Sequence, residues 1–173
     1  MLFRSPVLLQ NTFDDIGVVG MVGVTNGVID GNLVKAGRGS GLSLVSVSGA
    51  QVIDNAVIGT KGGAGVKVAN GTDVQLVGNL VVGGAHNGIS IGGNSTKIGI
   101  SGNAILGNAE TGIAAQRATC VLVTDNSIAQ NGASGLRLNE SGVSRVQGNA
   151  LVLNTNSGLH VGAQRWPCRL SGR

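Results

Sequence analysis

The sequence predicts an all-β solenoid of stacked short strands, and three columns of residues predict it. Asparagine recurs as Asn32, Asn55, Asn79, Asn103, Asn126 and Asn149, in steps of 23, 24, 24, 23 and 23 residues. Glycine recurs as Gly41, Gly65, Gly88, Gly112, Gly135 and Gly158, nine residues after each asparagine except in the Asn55 repeat, where it follows by ten. Aliphatic residues form the third column, three before every asparagine (Ile29, Val52, Leu76, Ile100, Val123, Val146), with others two after it and directly after the glycine. A period in the low twenties, made of three β-branched runs each too short for a helix, means stacked strands and one coil per repeat.

Each column has a physical reason. A coil must turn a corner between strands; asparagine tolerates the left-handed backbone angles of a corner, and its amide, pointing inward, satisfies buried backbone groups there. Coils lie about 4.8 Å apart, so successive asparagines can hydrogen-bond one above another as a ladder. A shorter column starts five residues on, at Asn108, Asn131 and Asn154, where earlier repeats carry Gly37, Thr60 and Gly84.

Along the chain, residues 1–26 are the least regular. Asn11 and Gly20 keep the nine-residue spacing, so an imperfect first coil is expected, with Phe3 and Phe13 covering the open end. Residues 27–162 form the regular body of about six to seven coils, and no coil carries a long loop. In residues 163–173 the aliphatic spacing stops and Arg165, Arg169 and Arg173 appear beside Trp166. This segment either docks as a cap through Trp166 or is a ragged end; the missing apolar pattern favours the second.

Composition narrows the function. Two Phe, one Trp and no Tyr in 173 residues leave an aliphatic core and almost no aromatic platform on which a neutral sugar could stack. The formal charge of +4 favours an anionic partner. No apolar run is long enough for a membrane span, and nothing points to nucleic acid or to a particular oligomer. Met1 to Leu9 hold too short an apolar run for a signal peptide. Cys120 and Cys168, the only thiols, fall two repeats apart, which plain stacking turns into about 10 Å; two unpaired thiols are expected.

The pattern aliphatic, Gly-Asn or Asp-Asn, aliphatic, then Gly-aliphatic-x-aliphatic resembles the right-handed, single-stranded parallel β-helix of the pectate-lyase-like superfamily over roughly residues 27–162. That superfamily holds polysaccharide lyases, glycoside hydrolases, epimerases, adhesins and phage tail proteins, so the resemblance implies a fold and leaves the activity to the site. It also implies an extracellular or cell-surface location. Enzymes of this kind commonly carry their substrate groove on the face of the Gly-aliphatic-x-aliphatic strand. There the x residue points outward, giving the row Ser43, Lys67, Ser90, Ala114, Arg137 and His160. Two residues on stand Gln116 and Asn139, with Arg117 beside them. Lys67, Ser90, Arg137, His160, Gln116, Asn139 and Arg117 are the candidate substrate-binding residues, suited to carboxylated sugars because guanidinium groups fork onto carboxylates.

Catalytic and metal sets are not evident. Asp54 and Asp125 share a repeat position three coils apart, about 14 Å, too far to hold one calcium ion. Asp125 and Glu140 occupy different corners of one coil, so no paired carboxylates for glycoside hydrolysis emerge. Gly62 to Lys67 begins like a calcium-binding β-roll repeat but has Lys67 where the ligand aspartate belongs, and Gly37 to Gly41 lacks the strand-to-helix setting of a phosphate loop. The sequons at Asn70, Asn94 and Asn139 are what chance gives in so asparagine-rich a chain. No outward threonine column suits ice. No cofactor or metal is expected. The reading is a β-helical scaffold or carbohydrate-binding surface, noncatalytic as it stands and a fragment of something larger if the basic end is a truncation; the alternative is a lyase or epimerase of acidic polysaccharide.

Overall fold

A computed structural model describes residues 5–164 and Cys168. Three parallel sheets of seven strands each wrap one core, and each coil gives one strand to each sheet in turn. Coil 1 is Val7–Leu9, Thr12–Asp14 and Val19–Val22; coil 7 is Gly142–Gln147, Ala150–Val152 and Leu159–Val161. The expected parallel β-helix is the fold of this chain.

Alternation along each strand buries one face. On the first wall Ile29, Val52, Leu76, Ile100 and Val123 are inaccessible; on the second Val34, Val57, Val81, Ile105 and Ile128; on the third Leu42, Val66, Ile89, Ile113 and Leu136. Each such side chain contributes about 1.5–3 kcal/mol on leaving water. Because every coil repeats the same positions, like packs on like and the core grows coil by coil.

The asparagine column sits between the first and second walls. In coils 1 to 6 the side-chain Nδ2 of asparagine and its backbone N–H both donate to the Oδ1 of the next asparagine, as Asn79 does to Asn103 at 2.9 Å. Nδ2 also donates to carbonyls at the end of the first-wall strand, so one amide closes the corner and links three coils. Asn11 joins the column, its N–H donating to Asn32 at 2.9 Å. The left-handed residue is the one before the asparagine: Gly31, Asp54, Gly78, Gly102, Asp125 and Gly148 all have φ between 50° and 67°. That division of labour departs from the expectation that asparagine itself takes the strained angle, and it explains why Gly or Asp precedes it. The second column repeats the device, with Asn108 to Asn131 and Asn131 to Asn154 both at 3.0 Å. Among the described residues no buried side-chain nitrogen or oxygen lacks a partner.

Phe13 packs half-buried against the core at the first coil. Phe3, Trp166 and the three arginines of the last nine residues lie outside the described residues. The expectation of two unpaired thiols is overturned: Cys120 and Cys168 form a disulfide, with their Cα atoms 4.7 Å apart. Cys120 is an extra residue where the Thr119–Thr124 strand shifts register against Gly142–Gln147, and its φ of 55° turns it out of the ladder. Cys168 therefore does not take up the position that two further stacking steps would give it, and the 10 Å offset does not apply.

Candidate functional site

On the third wall, residues two apart point the same way, so the residue between the two buried aliphatics of each strand faces outward. The register sets Ser43 beside Lys67, Lys67 beside Ser90, Ser90 beside Ala114, Ala114 beside Arg137 and Arg137 beside His160. Lys67, Arg137 and His160 are exposed, and Ala114 between them is nearly buried, which leaves a dip in the row. A recess of about 230 Å³ fills that dip, bounded by Ser90, Ala114 and Arg137 along the row and by Asn87, Gln116 and Asn139 at its edges. A second recess of about 280 Å³ shares Asn87 and Ser90 with it and reaches Lys67, Gly63, His86 and Glu110 at the corner before the wall. The two together make one polar trough running across coils 3 to 6.

Five of the seven residues expected from the sequence line this trough: Lys67, Ser90, Gln116, Arg137 and Asn139. His160 continues the row one coil past Arg137, outside both recesses. Arg117 is turned aside, its Nε donating to Glu140 at 3.1 Å. Its guanidinium is engaged within the chain.

The residues that the outward row does not include are His86 and Glu110. They occupy one position in successive coils, two residues after Gly84 and Asn108 of the second column, and stacking brings His86 Nδ1 to 3.1 Å from Glu110 Oε1. An ionised carboxylate only accepts, so Nδ1 carries the proton and a neutral imidazole keeps Nε2 as an acceptor. The spacing of 24 was the available signal; the change from Gly84 to Asn108 within the column hid it. Earlier on the same edge Arg38 forks onto Asp15, with one contact at 2.7 Å, and Lys61 stands 3.7 Å from the same carboxylate. The hydrogen bond from Arg38, then its charge, holds Asp15 below the usual carboxylate value.

Residues 23–166 match the family described as periplasmic copper-binding protein (NosD). The chain belongs to the NosD family. A search of curated proteins finds no match. Similar solved structures include a point mutant of the periplasmic alginate epimerase AlgG (TM-score 0.75, 14% identity, covering 92% of this chain and 50% of that one). They also include the A-module of the Azotobacter vinelandii mannuronan C-5 epimerase AlgE6 (TM-score 0.71, 16% identity, 94% and 55% covered). At those identities the likeness shows the fold, and this NosD-family chain spans about half the length of each.

The family description raises copper, and the side chains answer it. Copper(II) takes three or more nitrogen and oxygen donors in a tetragonal set, and copper(I) favours thiolates and thioethers. Among the described residues no three His, Cys, Asp or Glu side chains converge. His86 and Glu110 offer two donors, His160 stands three coils away, and both cysteines are consumed in the disulfide. These residues do not fit a copper centre.

Proposed function

We propose that the third wall of this chain is an extracytoplasmic binding face for an anionic, uronate-rich polysaccharide lying across the coils. The observation that carries this reading is the trough itself, in which Lys67 and Arg137 stand three coils apart with Ser90, Asn87, Gln116 and Asn139 between them. Two cations three steps of about 4.8 Å apart, roughly 14 Å, suit an extended chain that carries carboxylates at intervals, and the amides and hydroxyl near them suit sugar hydroxyls. The described part of the trough contains no Phe, Tyr or Trp on which a sugar ring could stack, so affinity must come from charge and hydrogen bonds. The location is supported by the disulfide, which persists in oxidising compartments, and by the periplasmic description of the matched family.

The test is titration with oligomannuronate, oligoguluronate and oligogalacturonate beside a neutral glucan, at two ionic strengths. Arg137→Ala and Lys67→Ala are each expected to weaken binding by roughly 5- to 30-fold, as loss of a charged hydrogen bond of about 1–2 kcal/mol would. Lys35→Ala, an exposed cation on the second wall, is expected to leave it unchanged. Binding should fall as salt rises. Preference for the neutral glucan, or intact binding in both face variants, would remove this reading and leave the scaffold.

The His86–Glu110 pair favours a second reading, lyase or epimerase chemistry on the same ligand. Both reactions begin by removing the proton next to a carboxylate, which needs a base and a cation to quench the carboxylate charge. His86, with its Nδ1–H held by Glu110, is the base, and Lys67 in the same recess is the cation. Exchange of the uronate C5 proton with deuterated solvent, followed by NMR, reports this step before any product accumulates. Wild-type exchange that disappears in His86→Ala is the expected result under this reading; no exchange in the wild type leaves the noncatalytic face.

A further inference from the structure

We propose that the Cys120–Cys168 disulfide is a redox-labile strap that holds coil 7, and with it the His160 end of the third-wall face, against the rest of the helix. Its bearing on ligand binding rests on the reading just given; its effect on coil 7 does not. Cys120 belongs to coil 6, and Cys168 follows the last strand of coil 7, so the bond closes a span of 48 residues around that whole coil.

Among the described residues, coil 7 has the fewest buried aliphatics. Among the described residues it is stacked on one side only. Leu151 is half-buried, and Leu159 and Val161 are exposed, whereas the aliphatics that match these three in coils 3 to 6 are sealed. Local opening is cheapest where buried apolar contacts are fewest, so this coil opens first unless something ties it down.

The tie is placed where a reductant can reach it. Both cysteines are only partly buried, and Cys120 lies on the rim of an open hollow of about 520 Å³ on the first wall. Asp73, Lys97 and Cys120 occupy one position in coils 4, 5 and 6 with φ of 55°, 56° and 55°, a left-handed conformation that costs energy in each coil. Such bulges re-aim side chains, and all three line the hollow together with Arg145. Lys97 and Arg145 are in no ion pair among the described residues, so two cations face one carboxylate beside the sulfur. Neighbouring positive charge favours the thiolate that departs when the bond is opened.

The step needs an external dithiol. Its thiolate attacks one sulfur to give a mixed disulfide, its second thiol closes on that bond, and both cysteines leave as thiols. Two electrons and two protons pass to the protein, and the dithiol departs as its own disulfide.

Hydrogen exchange on the whole chain, oxidised and after treatment with a millimolar excess of dithiothreitol, tests this. Reduction is expected to speed exchange in residues 150–161 by roughly tenfold or more while residues 51–101 stay unchanged, and Cys168→Ser should reproduce the reduced pattern. Oligouronate affinity should fall by roughly threefold in the same two samples, since the His160 end is lost and the Lys67–Arg137 trough remains. Faster exchange without any oligouronate binding in either state would keep the strap and remove the binding reading. Equal exchange in residues 150–161 in both states, or a disulfide that survives the dithiol in the folded protein, would overturn the strap.

Discussion

Asn103→Leu is expected to lower the stability of the fold by about 3–5 kcal/mol, because the change orphans more than one buried group at about 1–3 kcal/mol each. Asn103 is 1% exposed, and its Nδ2 donates to Leu76 O at 2.9 Å, Ser101 O at 3.0 Å and Asn126 Oδ1 at 2.9 Å. Its Oδ1 accepts from both the backbone N–H and the Nδ2 of Asn79. Leucine has a similar volume and none of these atoms, so the Asn79 N–H and Nδ2 lose their acceptor and Leu76 O loses one donor inside a wall that water does not reach. The control is Asn94→Leu, an exposed position whose side chain makes no hydrogen bond among the described residues, with an expected cost under about 0.5 kcal/mol. Urea unfolding midpoints compare the two. Equal midpoints would mean that the column carries no weight.

Gly112→Ala is expected to cost about 3 kcal/mol, at the upper end of what one added methyl does in a packed interior. A Cβ on Gly112 would stand 2.7 Å from the carbonyl oxygen of Gly135 and 2.9 Å from Asn131 Nδ2, and would also run into Ile128. The first is backbone of the next coil and the second belongs to the inner asparagine column, so neither can swing away as an exposed side chain would. Gly41, Gly65, Gly88 and Gly135 face the same carbonyl one coil on, which is why this position is glycine in coils 2 to 6; coil 1 has Val18 there. Gly92→Ala, on the same wall with nothing within 4 Å of its added carbon, is expected to be nearly neutral. Matching losses in the two alanine variants would show that glycine is kept for backbone freedom and not for the space its missing side chain leaves.

The candidate face was legible because stacking converts a sequence offset into a spatial neighbour. Once the asparagine spacing is known, Lys67, Ser90, Ala114, Arg137 and His160 must fall in one row, and the pairing puts them there. Which of them act together is a different matter, set by side-chain size. Ala114 opens the recess between Ser90 and Arg137, and Asn87, from the corner and not the row, joins it to the one that holds Lys67. Arg117 shows the limit from the other side: its position is periodic, but Glu140 one coil above claims it.

The sequence by itself determined the coil period, the inward faces, the asparagine column and the outward row, since all of these follow from interactions between residues 23 or 24 apart that recur in every coil. Only the tertiary structure decided what the repeat does not enforce. The left-handed angle falls on the residue before each asparagine, because the asparagine side chain must point inward to reach two coils at once. His86 meets Glu110 at a corner where neighbouring coils carry different residues, so no column announces the pair. Cys168 lies 4.7 Å from Cys120 between Cα atoms, away from the position that two stacking steps would give it, and a periodicity can place only residues that obey it.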